Sequence, residues 1–176
     1  MPLLKNNVLV ADTWINTEAE GELPAAGDVI VPFARLLKDW GELSARPGKL
    51  GLRLSNTDRP EALGTFLPRL SVIVLPFPAF NDGRAYSIAR SLREMGYRGE
   101  LRATGNVLPD QLQFMLQVGF DAFEIGERFP LETWQKASRQ MSLAYQRGLF
   151  RRGSEAEIWT ERHTDAEPWL EQPHAG

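Results

Sequence analysis

Two rhythms of apolar residues alternate along this chain, and their alternation predicts its architecture. From Ser71 to Leu75 the residues are β-branched or apolar almost without break, the pattern of a strand covered on both faces. Arg84 to Met95 then places Ala85, Ile88, Ala89, Leu92 and Met95 on one side of a helix, with Gly96 where a left-handed end is favoured. Glu100 to Thr104 reads as the next strand, Pro109 to Val118 as a helix with Leu112, Met115 and Leu116 inward, and Phe120 to Ile125 as a further strand. A last helix is predicted over Leu131 to Tyr145.

The first 70 residues carry the same rhythm less regularly. Alternation between Asn7 and Ile15 predicts a short N-terminal β-hairpin turning about Ala11-Asp12, and the acidic, turn-rich stretch from Asn16 to Gly27 predicts a loop. Asp28 to Val31 is a short strand. Phe33, Leu36, Leu37, Trp40 and Leu43 recur at helical spacing and predict one buried stripe, which Pro47 and Gly48 end. Leu50 to Ser55 is strand-like. Asp58 and Glu61 then have the spacing of a capping box, with Pro60 suited to a first turn, and Leu63, Phe66, Leu67 and Leu70 supply the apolar face of the helix they would open.

Strands alternating with helices imply right-handed βαβ crossovers and a mainly parallel sheet. The predicted fold class is therefore α/β, a single domain of about five βα units. A flavodoxin-like open sandwich and a partial β/α barrel both satisfy the pattern. With 176 residues, 43% of them hydrophobic and 24% charged, the chain supports one sizeable core, assigned to residues 1–146. Residues 147–176 differ in character: Arg147, Arg151, Arg152 and Arg162 mix with acidic residues, and Trp159 and Trp169 stand alone in polar surroundings. They predict a polar, flexible C-terminal tail, either solvated or anchored to a partner through its two tryptophans.

Composition excludes several chemistries. The formal charge of −3 and the pI near 5.5 argue against a nucleic-acid binder that relies on a broad basic face. Cysteine is absent and the two histidines, His163 and His174, fall in the predicted tail, so thiolate catalysis, a disulfide framework, Cys-ligated iron–sulfur clusters and zinc ribbons lack their ligands. No apolar run reaches the roughly 18 residues that span a bilayer, and a cytoplasmic location is expected.

Candidate chemistry collects where a parallel sheet usually keeps it, in the loops after the strands' carboxyl ends. There the chain places Asn56, Asp58, Asp82, Gly83, Arg84, Ser87, Gly105, Asn106 and Glu124. Asp82 opens a helix and reads either as its cap or as an acid–base or orienting group. Arg84 lies in the first helical turn, where a cation opposes the helix dipole. With Gly83, Ser87 and the free amides it could hold a carboxylate, phosphate or sulfur oxyanion, or it could pair with Asp58 or Asp82. Arg102 falls within a strand and calls for a carboxylate such as Glu100 or Glu124. Asp110 and Gln111 read as helix-start residues. Asp58, Asp82 and Glu124 are of a type that binds Mg²⁺, but their spacing marks no metal site, and no dinucleotide, phosphate-loop, zincin or nucleophile-elbow motif is present. No residue is assigned a catalytic role.

Three blocks of this sequence, DGRAYSIARSLRE (Asp82 to Glu94), GELRATGNVLPDQ (Gly99 to Gln111) and GFDAFEI (Gly119 to Ile125), together resemble the bacterial family of the domain of unknown function 934. The resemblance extends from about Val29 to Tyr145. Members of that family are commonly encoded beside the assimilatory sulfite reductase haemoprotein and are often labelled oxidoreductases of sulfate assimilation. The resemblance thus implies an accessory protein of sulfite reduction, acting through contact with sulfite reductase or its electron donor. Alternatives are a flavin- or nicotinamide-binding oxidoreductase and a module that binds a sulfur oxyanion or phosphate at the sheet's carboxyl edge. Positions matching the family's motifs are Asp82, Gly83, Arg84, Ser87, Arg102, Gly105, Asp110, Gln111, Phe120, Asp121 and Glu124. The motifs give them no roles, name no cofactor, and leave a homo-oligomer open.

Overall fold

The computed structural model describes residues 2–139. The predicted tail at 147–176, with Trp159 and Trp169, and the end of the last helix lie outside the described residues. Eight strands form one sheet: β1 (Leu3–Lys5), β2 (Val8–Val10), β3 (Ile15–Asn16), β4 (Val29–Pro32), β5 (Leu50–Arg53), β6 (Leu70–Phe77), β7 (Glu100–Gly105) and β8 (Ala122–Glu124). Their order across the sheet is β2-β1-β8-β7-β6-β5-β4-β3. β3 through β8 are mutually parallel, while β1 runs antiparallel to both β2 and β8.

Six parallel strands in unbroken chain order decide between the two expected architectures. A flavodoxin-like sheet reverses its strand order and so receives helices on both faces. Here every crossover advances in the same direction, so right-handed connections put every intervening helix on one face. These helices are α1 (Phe33–Lys38), α2 (Trp40–Ala45), α3 (Arg84–Glu94) and α4 (Leu112–Val118), and α5 (Leu131–Arg139) follows β8. The pattern is that of the partial β/α barrel. Chain length shows how strongly the sheet curls. Laid flat, seven strand spacings would separate β2 from β3 by about 34 Å. Only residues 11–14 join Val10 to Ile15, and they span at most about 18 Å. The two free edges must therefore approach each other.

The main core fills the space between the helices and the convex face of the sheet. Val29, Val31, Leu50, Leu52, Ile73, Leu75, Phe77, Leu101, Ala103 and Phe123 meet Leu36, Leu43, Ala85, Ala89, Leu92, Met115 and Trp134 there. Ile30, Val72 and Val74 alternate with these residues, point to the concave face, and pack on Trp14.

Four local expectations are corrected. The hairpin exists, but it turns at Asn6 and Asn7 (φ 51° and 64°), a left-handed pair that closes a two-residue turn ahead of Ala11-Asp12. The stripe from Phe33 to Leu43 is split at Asp39, where the backbone leaves helical geometry, so the axis bends and Leu37 faces solvent. No α-helix follows Asp58: two 3₁₀ turns, Pro60–Leu63 and Leu67–Arg69, stand in its place, because Pro68 cannot continue a helical ladder. The Asp58 carboxylate turns back to accept from the Ser55 amide at 2.7 Å, and Glu61 takes no part in a capping box. Finally, Leu116 on α4 is exposed rather than inward.

Candidate functional site

The carboxyl ends of β5, β6 and β7 bring three of the predicted loops together. Asp82 stands at their centre. Its Oδ1 accepts from the Arg84 backbone amide at 3.2 Å and from Arg84 Nε at 2.9 Å, while its Oδ2 accepts from Arg84 Nη2 at 2.7 Å and from Asn56 Nδ2 at 3.0 Å. Asp82 thus ties the loop after β5 to the start of α3 and satisfies a free amide there, although Gly83 is the capping residue. The Arg84 hydrogen bonds, and after them the one from Asn56, hold the Asp82 carboxyl well below the usual carboxylate range, and the same pair pushes the Arg84 guanidinium up. Of the two expected partners, Arg84 takes Asp82 and not Asp58. Gly83 is not required by space: a Cβ there would meet only Tyr86, at 3.9 Å. Ser87 is exposed and makes no side-chain hydrogen bond among the described residues.

Gly105 and Asn106 join the ends of β6 and β7. The Asn106 amide donates to the Phe77 carbonyl at 2.8 Å and its side chain to the Pro78 carbonyl at 2.6 Å. Gly105 has φ +91°, and a Cβ there would lie 2.5 Å from the Phe77 oxygen, so the joint depends on glycine. Gln111 donates to the Phe80 carbonyl at 2.7 Å and fixes the loop carrying Phe80. Beside that loop Tyr86 packs at a tilt of 60° against Phe114, with ring centroids 4.8 Å apart, and edge-to-face on Phe77. Burial first, and the charge of Asp110 second, push the Tyr86 hydroxyl up. Phe80 is 61% exposed and Phe114 52%, so two large aromatic side chains present themselves to solvent on this side of the molecule. Sequence reasoning missed them, although Phe80 lies in the very turn it singled out and Phe114 fell outside the inward positions of its helix.

Arg102 and Glu124 occupy a different place, the concave face. Only 1% of Arg102 is exposed. Its Nε donates to Glu100 Oε1 at 3.0 Å and its Nη1 to Asp12 Oδ2 at 2.8 Å, with Glu124 Oε1 at 3.9 Å. Glu124 accepts from the Thr104 hydroxyl at 2.6 Å through its other oxygen, and Glu100 accepts from Lys5 at 2.7 Å. Both expected carboxylates are found, and Asp12 adds a third that no local signal announced. With the guanidinium set among the three acids, the cluster serves a cation already present. Among the described residues no group of three or more His, Cys, Asp or Glu side chains is arranged to hold a metal ion, and no helix is long and apolar enough to cross a membrane.

The predicted residues thus form two constellations. Asn56, Asp82 and Arg84 join at the rim with the neighbouring Gly105–Asn106 loop, whereas Arg102 and Glu124 lie inside the curl and Asp58 serves its own loop.

Fold and site together define a single α/β domain built as an incomplete barrel, with hydrogen-bonded polar loops and two uncovered phenylalanines outside its carboxyl end and an ionic cluster within. A family model described as a bacterial protein of unknown function, DUF934, matches residues 51–154, and the chain belongs to that family. The match starts later than the expected Val29 and runs past Tyr145, so part of the predicted tail falls inside it. No curated protein and no solved structure matches the chain.

Proposed function

We propose that this protein is a cytoplasmic accessory factor of sulfite reduction that works by docking on the sulfite reductase haemoprotein. The observation that carries the reading is the pair of exposed aromatics, Phe80 in the loop that Gln111 holds and Phe114 packed on Tyr86, on the side of the molecule that carries the Asp82–Arg84–Asn56 knot. Large aromatic side chains beside arginine are what the centres of protein interfaces are made of, and exposing them to water without a partner is unfavourable. Two further points are consistent with it: the accessory role that the family resemblance implies, and a sequence without cysteine, which has no ligands for a Cys-bound iron–sulfur centre of its own. Co-elution of the purified chain with the haemoprotein is expected, together with a change in its turnover. Failure of both would end the reading.

An oxyanion site at Arg84 is the weaker alternative. Both Asp82 oxygens already engage that guanidinium, and an anion approaching it would meet the carboxylate as well as the cation.

A further inference from the structure

One segment crosses the whole concave face. Residues 11–14 leave β2 at one edge of the sheet and enter β3 at the other, and their inward side chains alternate. Asp12 reaches Arg102 on β7; Trp14 packs on Ile30, Val72 and Val74; Asn16 accepts from Arg53 on β5. Gly51 makes room for this strap, since a Cβ there would lie 2.5 Å from Val72, 2.7 Å from Ile30 and 3.3 Å from the Trp14 ring. The strap is held by side chains: the amides of Ala11, Asp12 and Thr13 make no backbone hydrogen bond among the described residues.

Strand register puts the two arginines level. Arg53 pairs with Val74 and Val74 with Arg102, so the two lie in one row, two strand spacings or about 9.6 Å apart, both on the concave side. Arg53 has no carboxylate within ion-pair distance among the described residues; its partner is the neutral amide of Asn16. Lys5, Arg53 and Arg102 are balanced on this face by Asp12, Glu100 and Glu124. Glu100 and Glu124 are built into strands, whereas Asp12 rides on the strap. With Asp12 withdrawn the face carries one net positive charge, and Arg102 Nη1 loses the carboxylate it holds at 2.8 Å, a place the planar fork suits for another carboxylate or planar oxyanion.

We propose that this concave face is a binding site for a small monoanion, a carboxylate or a planar oxyanion of single charge, and that the Asp12 carboxylate is its internal stand-in, so that ligand and strap exclude each other. The site is independent of the docking reading and survives or fails separately from it.

Acetate is the probe, with chloride at equal ionic strength as the control for screening. In the wild-type chain, acetate but not chloride should speed amide hydrogen exchange at Trp14 and Ile15, whose amides donate to Asp12 Oδ1 at 3.2 Å and to the Asp28 carbonyl at 2.9 Å, because the ligand releases the strap. Exchange unchanged up to the highest acetate concentration overturns the proposal without any variant. Calorimetry on Asp12→Asn should show acetate binding at least tenfold tighter than to wild type, and adding Arg53→Gln, a change at the solvent-accessible end of the row, should cancel that gain. Equal affinity of wild type and Asp12→Asn, or an Arg53→Gln chain that binds as before, refutes it.

Discussion

Arg93 Nη2 lies 2.5 Å from Asp121 Oδ2, and this contact joins the three sequence blocks that mark the family. The same guanidinium donates to the Gly119 carbonyl at 2.7 and 3.0 Å and to the Tyr97 and Gly99 carbonyls at 2.9 Å, while Asp121 also accepts from the Leu101 amide at 3.0 Å. One buried arginine thus satisfies the carbonyls at the ends of α3 and α4 and fixes where β7 and β8 begin. Arg93→Met would strand those carbonyls and should lower unfolding free energy by about 3 kcal/mol, read from urea denaturation. Asp121→Asn leaves the carbonyl contacts in place and should cost about 1 kcal/mol. Equal losses for the two would show that the carboxylate, not the carbonyl set, holds the node.

Gly105 offers a test of the rim without touching any charged group. Its φ of +91° and the 2.5 Å approach of the Phe77 oxygen to an added Cβ mean that Gly105→Ala must bend the β6–β7 joint. A loss of about 2 kcal/mol is expected, seen as a lower melting temperature. The Asn106 amide proton, bonded to the same oxygen, should exchange faster in that variant. A variant as stable as wild type would mean that the joint is compliant.

Legibility in the sequence followed the range of the interaction that decides each feature. Ser71 to Leu75 was readable because its unbroken apolar run marks a strand buried on both faces, and the stripe Ala85, Ile88, Ala89 and Leu92 because its period specifies the face it buries. Where one residue overrides the period, the reading failed: Pro68 divides a segment whose leucines suggest a helix, and Asn6-Asn7 closes the hairpin before the alternation that seemed to define it. Open sandwich and partial barrel could not be separated, because both use the same βα units and differ only in strand order, which is a property of the whole chain. Arg102 was rightly expected to need Glu100 or Glu124. A stronger signal was present in β7, where Glu100, Arg102 and Thr104 alternate with Leu101 and Ala103 and mark one polar face. Asp12, 90 residues away, carried no such mark.

Docking through the exposed aromatics makes a prediction in which stability and binding separate. Phe80 is largely solvated, so Phe80→Ser should change stability by no more than about 0.5 kcal/mol. Phe114→Ser also loses the contact with Tyr86, worth about 1 kcal/mol. The double variant should fold, keep its circular dichroism spectrum, and lose about thirtyfold in affinity for the sulfite reductase haemoprotein in a surface-binding assay. Undiminished affinity in a folded double variant would remove the aromatic face from the interaction.

The Asp82 knot predicts a direction with pH. In the unfolded chain an aspartate titrates near about 3.9, and in the fold Asp82 lies well below that value because Arg84, and then Asn56, donate hydrogen bonds to its ionised form. A depressed folded value means that the ionised carboxylate's contribution is complete above the unfolded value and is lost as the pH falls through the folded one. The contribution should therefore be unchanged between pH 7 and about 5 and should decline progressively as the pH falls below the unfolded value, until it is lost below the folded one. Asp82 is directly observable as its side-chain carboxyl carbon shift in a pH titration. It should remain ionised at pH 3 in the wild-type chain, whereas Arg84→Gln, by removing the main donor, should return its midpoint toward the ordinary aspartate range. A wild-type midpoint near 4 would show that the Arg84–Asp82 hydrogen bonds are not maintained in solution, and with them would go the rigid knot on which the docking face is built.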